Sequence, residues 1–139
     1  MKRLLTVASF VAVLAGCGGD TCTSDAAQLA SNNASCSLAP GTSAIVRVAV
    51  IAKCSDTNPT CQAEFLNNSF EVAPSVQQCQ GNVGCTVPGS TISAECAVTI
   101  PAGTPAGNYP LTIIGADSSG GQLLVPGTLT VGSGTTCAL

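Results

Sequence analysis

The sequence predicts an all-β domain, and three observations carry that prediction. Apolar and polar residues alternate with period two in APGTSAIVRVAVIAKC and in TISAECAVTIP, the pattern of half-buried strands. No long helical period appears after residue 35. The chain of 139 residues also holds 15 glycines, 8 prolines and nine cysteines, so turn signals and cross-link candidates punctuate every apolar run. Several short strands separated by turns fold as two packed layers, a β-sandwich held by disulfides.

The first element is not part of that domain. Lys2 and Arg3 give a basic start, and Leu4 to Leu14 form an apolar run. A membrane-spanning helix needs roughly 20 apolar residues, so the run has the length of a cleaved export signal instead. It ends Leu14-Ala15-Gly16-Cys17. That tetrapeptide resembles the processing box of bacterial lipoproteins, in which small residues admit the protease and the cysteine thiol takes a diacylglyceryl group. The resemblance implies a signal peptide over 1–16, lipidation at Cys17 and a short tether over 17–21. It also implies attachment to a membrane without crossing it, since two or three acyl chains hold where one does not. Cys17 then accounts for the odd cysteine count.

The domain is expected over 22–139. SDAAQLASNNAS fits either a short helix capped by Asp25 or an irregular first edge strand. From Pro40 the reading is clear. Val46, Val48 and Val50 share one face of a strand, with Arg47 and Ala49 on the other. EFLNNSFEV is expected to hold one strand and NVGCTV another. In TISAECAVTIP, Ile92, Ala94, Cys96, Val98 and Ile100 face inward, which makes Cys96 a structural bridge candidate. Tyr109, Leu111 and Ile113 lie on one face of the next strand, DSSGG at 117–121 is a turn, and Leu123, Val125, Leu129 and Val131 return. Pro110 requires an edge position or an outward-facing amide, and Pro126-Gly127 predicts a bulge or edge break.

Two of these stretches resemble bacterial immunoglobulin-like modules. APGTSAIVRVAV is similar to their second strand, entered from a Pro-Gly turn. AVTIPAGTPAGNYPLTIIGADSSGG…GTLTV is similar to their last strands, with Tyr109 matching the tyrosine that braces the corner before the penultimate strand. The resemblance implies an immunoglobulin-like antiparallel β-sandwich. The abundance of cysteine departs from most such modules.

Composition narrows the function. Without Lys2 and Arg3, only Arg47 and Lys53 stand against seven carboxylates, so no basic patch exists for nucleic acid or for anionic lipid. Cys22, Cys36, Cys54, Cys61, Cys79, Cys85, Cys96 and Cys137 read as a disulfide framework whose pairing the sequence leaves open. Cys54 with Cys61 and Cys79 with Cys85 would close local loops, and Cys85 with Cys96 is a competing pair. With no His and no Cys-x-x-Cys, no metal site or cofactor is expected.

The absence of His also removes the usual activating base, and neither Gly-x-Ser-x-Gly nor a phosphate-cradling loop occurs. Asp56, Glu64, Glu71, Glu95 and Asp117 are the carboxylates from which an acid–base pair would have to come, but Glu95 and Asp117 read as ordinary solvated positions. No catalytic residue is assigned, and the expectation is a non-enzymatic envelope protein. It would act as a binding or adhesion module for a protein partner or, alternatively, as a small structural subunit of a motility, secretion or surface-assembly machine. A small-molecule ligand is not expected, and the scarcity of aromatics argues against carbohydrate. Gly18 after Cys17 implies, by resemblance to the sorting rule for such lipoproteins, the outer membrane.

Overall fold

The structure is a computed structural model that describes residues 21–53, 56–80, 89–135 and 137–139. The expected signal peptide, Cys17, Cys54, Cys85 and the strand expected at NVGCTV lie outside the described residues. Among the described residues every regular element is a strand, as the alternation predicts. They are β1 (Thr21–Ala26), β2 (Gln28–Leu29), β3 (Ser35–Leu38), β4 (Ser43–Ile51) and β5 (Asp56–Leu66). Then follow β6 (Ser69–Gln80), β7 (Thr91–Thr99), β8 (Gly107–Ala116), β9 (Gln122–Val131) and β10 (Cys137–Ala138).

The segment that fitted helix or strand forms no helix: it holds the end of β1, β2 and the first residue of β3, joined by irregular chain at Ala27 and 30–34. β1 lies antiparallel on β6, and Ala27 then carries the chain to β2, which bridges β4 and β8. The two strongest alternating stretches pair with each other: β4 and β7 match residue for residue from Ser43–Thr99 to Ile51–Thr91. Their inward residues Val46, Val48, Val50, Ala94, Cys96 and Val98 are buried. Phe70, Val72, Leu111, Ile113, Leu129 and Val131 meet them from the other strands, so one aliphatic core is built around a single large ring.

All the strands belong to one hydrogen-bonded network that curls into a half-barrel. β5, β6, β8, β9 and β3 follow one another laterally, β7 and β4 lie side by side with β10 on the other edge of β4, and β2 links β4 to β8 at Ala116. The two end strands of the curl, β7 and β5, share no ladder; Cys61–Cys96 joins them. On the other side β3 and β10 share none either, and Cys36–Cys137 joins those. Each disulfide therefore closes a seam that backbone hydrogen bonds leave open. These pairings overturn Cys54–Cys61 and Cys85–Cys96, because local loop closure matters less than which strand edges the core brings together. Cys22 is also disulfide-bonded, and the register sets Cys79 directly opposite it.

Three further expectations need correction. The sheet is mixed rather than wholly antiparallel: β2–β8, β3–β9, β6–β8 and β4–β10 run parallel. EFLNNSFEV is not one strand but the tip of a hairpin, because Asn67 and Asn68 both take positive φ (50° and 61°) between the paired residues Leu66 and Ser69. Asparagine tolerates that backbone, and a two-residue turn of this kind suits the twist of a hairpin. Pro126-Gly127 makes no bulge; the β8–β9 ladder runs unbroken through both. Thr128 donates its amide to Ala34 on the β3 side, so Pro126, two residues earlier, aims its missing N–H past the start of β3. Gly127 is fixed by crowding, since any Cβ there would collide with Ala34.

The same logic places the other strand prolines. Pro74 accepts from the Ala27 amide, so its imide faces the junction where β6 passes from β8 to β1, where no donor is needed. Pro110 sits one residue before the β6–β8 pairing begins at Leu111, the outward-facing position expected of it. Tyr109 donates its hydroxyl to the Pro105 carbonyl at 2.8 Å and packs edge-on against Phe65, with ring centroids 5.3 Å apart. That is the corner brace the sequence implied.

Candidate functional site

The carboxylates singled out in the sequence fall into four settings. Asp117 opens the β8–β9 turn, where its Oδ1 accepts from the Ser119 hydroxyl at 2.7 Å and from the amides of Ser119 and Gly121 at 2.8 and 2.9 Å. Those bonds, the Ser119 hydroxyl first, hold its carboxyl below the usual range and make it a turn lock. Glu95 stands opposite Arg47 on β7 and β4 and receives its Nε at 2.8 Å; the outer face there is otherwise mostly small and hydroxylated residues. Asp56 begins β5 opposite Gln78.

Glu64 and Glu71 are different. The Asn67-Asn68 turn fixes the hairpin register, and counting back from Leu66–Ser69 sets Glu64 directly across from Glu71. Such a pair carries its Cβ atoms roughly 5 Å apart, and like charges in it are destabilising. Both residues are exposed on the outer face of the sheet. Among the described residues neither carboxylate has an ion-pair partner. The strands β5, β6, β8 and β9 contain no Lys or Arg at all.

The row continues across the sheet. Glu71 faces Thr112 on β8, and Thr112 faces Pro126 on β9. Beside it, Gln62 faces Ala73 and Ile114 faces Leu124. Glu64 and Glu71 lie between two shallow depressions. One of about 210 Å³ is lined by Glu64, Leu66, Asn67, Ser69 and Glu71, and the other, of about 100 Å³, by Gln62, Glu64, Glu71, Ala73 and Ile114. Both are smaller than the roughly 300–1,000 Å³ of ordinary ligand pockets. Leu66 and Leu124 are each 56% exposed on this face. The result is one surface with two facing glutamates on β5–β6 and, beside them on β8–β9, an apolar strip of Ile114, Leu124 and Pro126 set among polar side chains.

A larger hollow of about 490 Å³ lies where β10 rests on β4, lined by Ser43, Ile45, Arg47 and Ala138 among others. Its one charged group, Arg47, is already engaged by Glu95. Among the described residues no group of three or more His, Cys, Asp or Glu is placed to hold a metal ion. No family model matches the chain, no curated protein matches it, and no solved structure matches it.

Sequence reasoning named Glu64 and Glu71 but did not bring them together, because it read one strand where there is a hairpin. The signal was present: an Asn-Asn pair between two stretches of alternating character is a two-residue turn, and the opposition of the glutamates follows from it by counting.

Proposed function

We propose that the protein is a lipid-anchored component of the bacterial cell envelope. In this reading its curled sheet is an immunoglobulin-like sandwich that serves as a non-enzymatic module for holding a protein partner. The anchor rests on Leu14-Ala15-Gly16-Cys17 behind a basic start and a short apolar run. The sandwich class is supported by the β4–β7 pairing, the Tyr109 corner bond and the parallel β3–β9 edge. The binding role rests on one observation above the others: an unrelieved Glu64–Glu71 pair on a sheet face that leaves Leu66 and Leu124 in solvent. A domain selected only for solubility has no reason to retain that combination.

Anchoring would also orient the domain. Cys17 stands four residues ahead of Thr21, and Thr21 pairs with Gln80 at the end of β6 remote from the hairpin tip. The 117–121 turn would sit toward the lipid and the Asn67-Asn68 tip away from it. Glu71, nine residues back along β6 from Gln80, would stand about 30 Å further out at ~3.3 Å per residue.

Two experiments test this reading. Incorporation of labelled palmitate should occur in the native protein and vanish in Cys17→Ala, and equal labelling of both would remove the anchor. An antibody raised against the folded domain, applied to intact and then permeabilised cells, decides between a surface role and a periplasmic one. A tag after Leu139 is a poor substitute, because Leu139 is buried and its backbone bonds to Arg47 and Ala49 of β4.

A further inference from the structure

We propose that the outer face of β5, β6, β8 and β9 docks a segment of another protein that presents a Lys or Arg side chain between apolar residues. The inference rests on the binding-module reading above and names the chemistry of its partner.

The argument is one of complementarity. Glu64 and Glu71 repel each other across the hairpin, and among the described residues no cation pairs with either. A guanidinium or ammonium group placed between two adjacent carboxylates replaces that repulsion with two attractions, and Arg in particular offers a fork of donors to them. The neighbouring apolar strip supplies what a charge pair alone lacks. Half-buried Ala73 and Ile114 and exposed Leu124 and Pro126 continue outward from the glutamates, so residues flanking the cation would cover apolar surface still in water.

Other occupants fit less well. A second copy of this chain would have to offer Arg47 or Lys53, and Arg47 is held by Glu95 while Lys53 already has an interaction of its own. An anionic membrane surface is repelled by the glutamates. A glycan would find no aromatic ring on the outward positions of these strands to stack on. A hard divalent cation favours six or more oxygen ligands, and the row beyond the two carboxylates holds Thr112 and Pro126.

The test uses the native lipidated protein in its own cells. A photo-crosslinking amino acid is placed in turn at Gln62 and Leu124 on this face and at Ser93 on the β4–β7 face. Each is introduced into the wild type and into the Glu64→Gln/Glu71→Gln double variant, and adducts are digested to identify the contacted segment. The expected result is adducts from Gln62 and Leu124, but not Ser93, on a segment of another protein carrying Lys or Arg among apolar residues. Their yield should fall about tenfold in the double variant, while its melting temperature stays the same or rises. A merely structural role for the glutamates would instead lower the melting temperature.

Adducts on a neutral or acidic segment, on a second copy of the chain, on lipid or on glycan would overturn the proposal, as would an unchanged yield in the double variant. Protein adducts from Ser93 alone would overturn this face while leaving the binding-module reading intact. No protein adduct from any of the three positions would remove both.

Discussion

The outer faces of β4–β7 and of β5–β6–β8–β9 cover the same core and are written in the same alternation, but they treat charge in opposite ways. On β4–β7 the register sets Arg47 against Glu95, and the two meet at 2.8 Å with Thr91, Ser93 and Thr99 around them. On β5–β6 the ladder, regular from Thr60–Ser75 to the hairpin tip after a register shift at Thr57–Thr60, sets Glu64 against Glu71, beside outward Ile114, which is half-buried, and Leu124, which is exposed. The first face exposes one large apolar side chain, Ile45, but its charges are paired. The second carries a like-charge contact that water and salt only dampen, and it is the face that a partner would improve. Burial cannot separate the two, since both stand on well-packed interiors; the difference lies in which residue the turn geometry places across from which.

The largest test of this contrast is to pull the two faces apart. Replacing Cys36 and Cys137 with Ser should lower unfolding free energy by about 4–5 kcal/mol, and replacing Cys61 and Cys96 by about 4 kcal/mol, because the closed loops differ in length. The sequence separations are 101 and 35. Equilibrium denaturation of each pair variant checks both values. Loss of the Cys61–Cys96 bridge should also free the β5–β6 hairpin edge and raise hydrogen exchange there more than in β4–β7.

A smaller effect is expected within the second face. Gly127→Ala drives a methyl group into Ala34 at the β3–β9 contact and should cost about 1–3 kcal/mol, measured by the same denaturation. The equivalent change at an outward position of the first face, Ser93→Ala, should fall within about 0.5 kcal/mol of wild type.

The turn joining β8 to β9 gives a pH signature. The Asp117 carboxyl is held below its ordinary value of 3.8 by hydrogen bonds it makes only when folded. Its contribution is complete above the unfolded value and disappears as pH falls through the lowered folded one. Asp117→Asn should therefore flatten the acid side of the stability profile below about pH 4 while leaving the neutral region parallel to wild type. An unchanged acid limb would show that the carboxylate bonds do not persist in solution.

How much of this was legible depends on the range over which each feature is determined. Local alternation was enough for β4, β7, β8 and β9, down to the inward placement of Cys96, because a half-buried strand writes its burial into every second residue. The Tyr109 brace followed from a short motif. The hairpin at Asn67-Asn68 was missed although its turn chemistry was local, and with it went the Glu64–Glu71 contact. The parallel pairings, the handover of the first segment from β6 to β4 through Ala27, and both disulfides depend on which distant edges the core brings together. No window of sequence carries that information. Prolines sat between these cases: Pro110 was read correctly from its own requirements, while Pro126 needed the end of β3 to be known.

The most direct test of the contrast between the faces compares Glu71→Gln with Glu95→Gln by equilibrium denaturation in one low-salt buffer. Removing Glu71 should relieve a like-charge contact and raise stability by about 0.2–1 kcal/mol. Removing Glu95 should strand Arg47 at the surface and lower stability by up to about 1 kcal/mol. Opposite signs are the predicted result. If Glu71→Gln destabilises the protein as Glu95→Gln does, the glutamates of β5 and β6 are part of a satisfied surface, and the second face is not held open for a partner.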